Sequence, residues 1–488
     1  MNTKALRQKV LDLAIHGKLV PQNPNDESAT VLLEKIRAEK AEKIKKGELK
    51  ADKKDSFIFV GSDKRHYEQF ADGTVKDIED EIPFEVPDGW AWCRLNELAD
   101  IARGGSPRPI ENYITDSPDG INWIKIGDTA PESKYIESAK EKIKPEGQKH
   151  SRFVHEGDFL LTNSMSFGRP YILNINGCIH DGWLVFANIK ECVIKDYLYY
   201  ALSSDYIYAS FSMVAAGSTV KNLKSDTVKQ VLFPLPPIKT QEKIVESIEK
   251  SFTQIDILDN EKLDLQAAIK QAKSKILDLA IHGKLVPQDP NDEPAEELLK
   301  RIATSDNRPY EKVEDETAYE IPKNWCLSKI KDVCSVIMGQ SPEGAAVSDD
   351  KNGIEFHQGK ICFGEKYLEG SSSFTNHITK IAPKDSVLLC VRAPVGIVNI
   401  TQREICIGRG LCAVNPKYDI NSDFWFYWLK SLQSDFEQKA TGTTFRAISI
   451  DVIKNQIIPI PPVEEQKSIV NKIDELYTLL DQIQNNLI

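Results

Sequence analysis

From Lys239 to Leu279 the apolar residues keep a helical beat. They fall at Val245, Ile248, Phe252, Ile255 and Leu258, pause over Asp259, Asn260, Glu261 and Lys262, and resume at Leu265, Ile269, Ala272, Ile276 and Leu279. Steps of three and four put them on one stripe, the pattern of a coiled-coil seam. A helix of about 40 residues spans roughly 60 Å. Gly283 suits the left-handed position just past a helix, and Pro287 follows it. His282 then sits at the helix end, where a cation meets the dipole favourably, and its counterpart His16 reads the same way.

The chain contains itself twice. LDLAIHGKLVPQ stands at 11–22 and again, unchanged, at 277–288. PLPPIKTQEKIVESIEKSF at 234–252 is answered by PIPPVEEQKSIVNKIDELY at 459–477. A repeat of this kind governs the fold reading. The second copy of the long helix is split between the two ends. Leu6, Val10 and Leu13 match Ala272, Ile276 and Leu279, while Val470, Ile473, Tyr477 and Leu480 match Val245, Ile248, Phe252 and Ile255. A stripe must bury itself against something. The economical arrangement packs the central helix antiparallel against both half-helices, with the termini close and a pseudo-twofold axis.

Two globular parts lie between the helices. Each opens on a Pro–Trp segment, VPDGWAWCRLNELADIARGGSP (86–107) and IPKNWCLSKIKDVCSVIMGQSP (321–342). Each closes on a matched one, GSTVKNLKSDTVKQVLFPLPP (217–237) and GTTFRAISIDVIKNQIIPIPP (442–462). Short β-like runs such as INWIKIG, DFLLTNS and SVLLCVRA are punctuated by Gly, Asn and Pro. The aromatic stretches DYLYYALSSDYIYASF and DFWFYWLKSLQSDF read as helical core. The expected fold class is α+β: two mixed α/β domains in pseudo-twofold arrangement, joined by long antiparallel coiled-coil helices. The expected division is an N-terminal half-helix and repeat segment (1–37), a charged linker (38–89), a first domain (90–237), the central helical region (238–302), an acidic linker (303–320), a second domain (321–462) and a C-terminal helix (463–488).

Charge refines this picture. The net charge of −11 over 488 residues disfavours a simple DNA-coating protein. The acid is local, however: 289–320 holds eleven acids against four bases, and 71–88 seven against one, whereas the globular parts are near neutral. A near-neutral domain can still carry a basic face. The lysine-rich run 34–54 reads as a solvated helix and link. No run of 18 apolar residues suggests a membrane span, and the N-terminus lacks a signal-peptide core. Nine cysteines without a CxxC pair or metal spacing read as reduced thiols of a cytoplasmic protein.

The sequence offers no P-loop, no GxGxxG at a strand–helix turn, no GxSxG, HExxH or kinase set, and no methyltransferase [DNS]-P-P-[FYW] tetrapeptide. A large duplicated protein without a catalytic constellation reads as a recognition device. With ARGGSPRP (102–109), INWIKIGD (121–128), GDFLLTNS (157–164), MGQSPEG (338–344), IEFHQGK (354–360) and LLCVRAPVG (388–396) in duplicated order before each Pro-Pro helix, the chain resembles the specificity subunit of Type I restriction–modification enzymes along nearly its whole length. The resemblance implies a non-catalytic subunit with two target-recognition domains on double-stranded DNA. It implies two methyltransferase subunits as partners, which would use S-adenosylmethionine, and motor-nuclease subunits, which would use ATP and Mg. No cofactor, metal or membrane contact is implied for this chain.

Divergent interiors, RGGSPRPIENY against GQSPEGAAVSD, should read different half-sites, about one helical turn or ~34 Å apart if both lie on one face of B-DNA. Arg can pair with guanine, Asn and Gln with adenine, and Lys or Ser with phosphate. The candidates in the first domain are Arg103, Gly104, Gly105, Ser106, Arg108, Lys125, Asn163, Ser164, Ser166, Arg169, Lys221 and Asn222. Those in the second are Gln340, Ser341, His357, Gln358, Lys360, Arg392, Arg409, Thr443 and Arg446. Gly104, Gly105 and Gly339 are expected to serve turn geometry or to let backbone approach the DNA. The unchanged repeat, through Leu11, Ile15, Leu19, Leu277, Ile281 and Leu285, is expected to dock the same partner twice. The alternatives are a methylation-only or cut-nearby system, a coiled-coil adaptor that reads no DNA, and an enzyme carrying its own recognition domains.

Overall fold

The computed structural model describes residues 2–50, 55–130, 133–163, 168–215, 222–313, 320–418, 420–442 and 446–486. The chain divides into two compact units, Asn2–Asn260 and Glu261–Ile488. The central helix, Ile238–Ile281, contributes its residues up to Asn260 to the first and the remainder to the second.

In the first unit the N-terminal helix Thr3–Ile15 starts at Asn2, whose side chain accepts from the Ala5 N–H at 3.0 Å. It stops at Gly17, with φ +66°. A Cβ there would lie 2.3 Å from Pro87 Cγ, so chain reversal and close approach both require glycine. Gly283 repeats this after the central helix, with φ +63° and Pro322 Cγ at 2.4 Å. His16 and His282 each donate a ring N–H to the carbonyl four residues back, at 2.7 Å, as helix-end residues.

The half-helices dock through one repeated device. Arg7 lies 5.2 Å from the centre of the Phe252 ring and pairs with Asp256 at 2.5 Å. In the second unit Lys273 lies 5.0 Å from the ring of Tyr477, on the C-terminal helix Val463–Asn486, and pairs with Asp481 at 2.5 Å. The buried stripe departs from the continuous seam expected. Ile244, Ile248, Ile255, Ile269, Leu277 and Ala280 are buried, while Leu258 and Leu265 are exposed. In the first unit Phe252 of the central helix meets the Tyr200 ring at 5.8 Å, and in the second Tyr477 of the C-terminal helix meets the Tyr427 ring at 5.8 Å.

Opening and closing segments of each domain pair with one another. Ala91–Arg94 runs antiparallel to Leu232–Leu235, with Cys93 opposite Phe233. Cys326–Lys329 runs antiparallel to Ile457–Ile460, with Leu327 opposite Pro459. A proline fits such a two-stranded ribbon because each strand keeps a free edge. Inside the first domain, one sheet has the order Asp100–Arg103, Trp183–Ala187, Phe159–Thr162, Pro170–Leu173, Tyr135–Ile136. A second runs Arg152–Val154, Gly177–Ile179, Ile121–Ile124, Glu141–Ile143, Ile114–Thr115. The second domain repeats the plan with Cys334–Met338, Leu411–Pro416, Val387–Cys390 and Val398–Ile400, beside a five-stranded sheet that holds Ile354–His357 and Ile405–Ile407. The aromatic helices are core, as expected: Tyr197, Phe424, Trp425 and Trp428 are buried.

The segment 38–89 is more than a charged linker. The helix Ala29–Lys45 takes its start, and Ser56–Val60, His66–Phe70 and Val75–Asp77 form a three-stranded antiparallel sheet. Acidic residues hid this sheet because one of them is structural. Glu68 is buried, takes the Arg94 guanidinium at 2.7 and 3.3 Å, and accepts from Ser56 at 2.6 Å. The central helical region likewise ends at Ile281, and Ala295–Ser305 is a separate helix reaching into the expected acidic linker.

Candidate nucleic-acid interface

In each domain the first inner strand ends in a loop that carries the Gly-x-Ser-Pro or Gly-Gln-Ser-Pro residues. Gly104 N–H donates to Trp183 O at 2.9 Å and Gly105 N–H to Ile179 O at 3.2 Å. Gly339 N–H donates to Leu411 O and Gln340 N–H to Ile407 O, both at 2.9 Å. A Cβ on Gly104 would lie 2.2 Å from His180 O, and one on Gly339 2.2 Å from Gly408 O. These glycines therefore allow two backbones to touch and do not supply a left-handed turn.

The strand underneath supplies a second loop, CIHDGW (178–183) in one domain and CIGRGL (406–411) in the other. The Asp181 N–H donates to Ser106 Oγ at 3.3 Å, and the Arg409 N–H to Ser341 Oγ at 3.2 Å. The frame is thus shared, and the residue whose N–H closes it is an acid in one domain and a base in the other.

In the first domain the candidates converge on Asp181. Ser106 donates to its carboxylate at 2.7 Å, and Arg108 pairs with it at 3.3 Å. Arg103 donates to the Asp181 carbonyl at 2.9 Å, and Asn163 does so at 2.8 Å. The Ser106 hydroxyl, opposed by burial and helped by the two arginines, holds the Asp181 carboxyl below the usual range. Arg103 and Arg108 stay exposed above this anchor. Asn163 is fully buried, so it braces the loop and does not read bases. Lys125 pairs with Glu141 beside the loop. Arg169 stands apart, 5.7 Å from the Tyr171 ring centre, and Asn222 is half-buried. Ser164, Ser166, Lys221 and Thr443 lie outside the described residues.

The second domain places Gln358, Lys360 and Arg392 around one cavity of about 180 Å³, with Gly410, next to Arg409, on its wall. Among the described residues no carboxylate lies within ion-pair reach of Lys360, Arg392 or Arg409. Cys390 on the wall is pushed up to about 11 by burial, so it remains a protonated thiol. Two candidates fall away. His357 is buried against Glu355 at 3.1 Å, and Glu355 is itself held by Arg403 at 2.5 and 3.1 Å. Burial lowers the His357 pKa, against the raising effect of Glu355. Arg446 donates to the carbonyls of Glu437 at 2.6 Å and Ala440 at 3.3 Å, which closes the end of the helix Gln433–Lys439.

The repeat residues expected to face a partner are turned inward. Leu11, Ile15 and Leu277 are buried in their own units' cores, and Leu19, Ile281 and Leu285 pack against those cores. Identical packing of helix on domain accounts for these apolar positions, whereas Lys18 and Pro21, and Lys284 and Pro287, are exposed in both copies.

Sequence reasoning missed Asp181, whose signal was the Cys-Ile-x-x-Gly match between the two loops. It also missed Arg152, whose guanidinium donates to Arg103 O at 2.8 Å.

The family model for the Type I restriction modification DNA specificity domain matches residues 87–267 and again 322–488. The chain belongs to that family. The EcoEI specificity subunit of Escherichia coli is 25% identical over 99% of this chain and 90% of its own length. The putative MjaX specificity subunit of Methanocaldococcus jannaschii is 26% identical over 81% of this chain and 89% of its own. Among solved structures, a chain of a type I R-M system studied for complex assembly aligns with TM-score 0.56 at 24% identity, covering 83% of this chain and 94% of that one. The HsdS subunit from Thermoanaerobacter tengcongensis aligns with TM-score 0.51 at 22% identity, covering 84% and 94%. Both similarities bear on the fold. Among the described residues, no helix is long and apolar enough to cross a membrane.

Proposed function

We propose that this specificity subunit reads an asymmetric, two-part DNA sequence, one part with each domain, and carries no catalytic site of its own. The observation that bears this reading is the shared loop frame with Asp181 at its centre in one domain and Arg409 in the other. In the first, Asp181 lies within ion-pair reach of the exposed Arg103 and Arg108, whose guanidiniums suit guanine edges. In the second, Lys360 and Arg392 line a cavity and have no carboxylate of the described residues within ion-pair reach, which fits phosphate, with Gln358 able to address adenine. The catalytic work falls to partners. Two methyltransferase subunits would modify adenine from S-adenosylmethionine, and motor-nuclease subunits would use ATP and Mg. Long-helix residues Ile257, Leu258, Leu263 and Leu265 are exposed and supply apolar area for such partners.

The test is adenine-methylation mapping in cells that carry the cognate methyltransferase with and without this chain. The expected result is a new motif of two short blocks around a fixed unread gap, with an exchange of residues 90–237 altering one block only. An active methyltransferase that gains no motif overturns the reading and leaves a coiled-coil adaptor.

A further inference from the structure

The domain interiors diverge where DNA would be read, yet one short segment inside them does not. SKYIE (133–137) has its counterpart in EKYLE (365–369). In the first unit, Tyr135–Ile136 is the edge strand farthest from the glycine loop and lies parallel to Pro170–Leu173. In the second, Tyr367 makes the matching parallel bridge to Ile400.

A ladder of alternating cations and rings runs from this edge to the helix pair in both units. Lys134 lies 5.0 Å from the Tyr200 ring centre and pairs with Asp196, and Tyr200 meets Phe252 at 5.8 Å, which Arg7 covers. Lys366 lies 5.1 Å from the Tyr427 ring and pairs with Asp423 at 3.1 Å, and Tyr427 meets Tyr477 at 5.8 Å, which Lys273 covers. The lysines are largely covered, whereas Tyr135 and Tyr367 are 37% and 41% exposed. Asp196 is paired with Lys134, and Asp423 and Asp474 with Lys366, so the acids beside the rings with no ion-pair partner among the described residues are the exposed Glu137 and Glu369. Structural contacts reach the tyrosines too: Lys134 and Lys366 lie 5.6 and 5.8 Å from the Tyr135 and Tyr367 ring centres, and the Tyr367 hydroxyl donates to Asp423 at 3.3 Å. They do not account for the exposed part of each ring standing next to such a glutamate in both units. An acidic face repels phosphate, so DNA is not its occupant.

We propose that this edge is a protein-docking face, present once per unit, that receives a basic segment of the same partner twice. Resting on the functional reading above, the occupant is the methyltransferase subunit, with an arginine or lysine seated over the exposed tyrosine and held by the flanking acids.

Full-length chain is mixed with its cognate methyltransferase subunit, and bound copies are counted by native mass spectrometry with titration for affinity. Wild type takes up two copies. Tyr135→Ala and Tyr367→Ala each weaken one copy at least about tenfold, and the double variant weakens both. Glu137→Lys with Glu369→Lys, at exposed side chains that leave the core intact, gives the same loss at both sites. Two copies at wild-type affinity in either double variant overturn the proposal and leave the functional reading standing. No uptake by wild type overturns both. Loss of DNA affinity with two copies retained also overturns it, because the edge would then be a DNA contact.

Discussion

Gly104 and Gly339 offer a matched pair of perturbations. In each, an added Cβ would sit 2.2 Å from a backbone carbonyl oxygen of the neighbouring loop, where ordinary contact begins near 3.4 Å. The loop must retreat by about 1.2 Å, since neither backbone has a flexible end that can swing aside. That displacement strains the bonds from Gly104 N–H to Trp183 O and from Gly339 N–H to Leu411 O, both 2.9 Å. Overpacking of this kind costs roughly 1–3 kcal/mol, which a normal domain survives. The cost to reading is sharper. A base-edge hydrogen bond moved by about 1 Å is lost, and a bidentate contact discriminates by roughly 1–3 kcal/mol, or about 5- to 150-fold. Gly104→Ala should therefore relax one block of the methylated motif and Gly339→Ala the other. Thermal melting checks that each variant is folded, and methylation mapping reads the blocks. A folded Gly104→Ala protein that keeps both blocks, or loosens both equally, refutes the reasoning.

Arg94→Met should destabilise the chain by about 3–5 kcal/mol in urea denaturation, because it strands the buried Glu68 carboxylate. Arg392→Ala should weaken binding to every DNA sequence and reduce the salt slope by about one, whereas Arg446→Ala should lower stability with the slope unchanged. Glu465 is buried between Trp325 and Gln288, and burial, with Asp292 adding and those two hydrogen bonds opposing, raises its pKa. The folded state then binds its proton more tightly than the unfolded state. Stability should rise as pH falls from neutral through the folded value, level off below the ordinary glutamate range, and lose this rise in Glu465→Gln, as followed by melting against pH. Of the nine free cysteines only Cys362 is not buried, so brief alkylation of native protein followed by peptide mapping should label it alone.

The helices were legible because they repeat. Identical residues at 11–22 and 277–288 mark the same helix ending, and the Pro–Trp and Pro-Pro segments proved to be partners in one ribbon. The sheet inside 38–89 was not legible by charge, since a count of acids cannot tell solvated Asp72 from buried Glu68. The docking residues of the repeat misled for a related reason: sameness of sequence reports a shared environment, and here that environment is each unit's own core. Among the candidate site residues, those on the glycine loops and around the second-domain cavity were named from residue chemistry and from matching places in the two domains, and the structure brings them together within each domain. Asp181 was missed because it comes from a loop 75 residues further along the chain, and the short Cys-Ile-x-x-Gly match was its one signal.

Asp181 and Arg409 hold matching places in the two domains, and on the proposed function this difference bears on what each domain reads. The serine–main-chain bond and the glycine contact hold the two loops at a fixed separation whatever side chain stands between them. In the first domain Asp181 at that position lies within ion-pair reach of Arg103 and Arg108, whereas in the second Arg409 stands there with no carboxylate of the described residues within ion-pair reach. The first arrangement favours direction and so base-edge discrimination; the second favours field and so backbone affinity. A frame that separates stability from charge in this way can change what it reads by a single substitution while its core stays as it is.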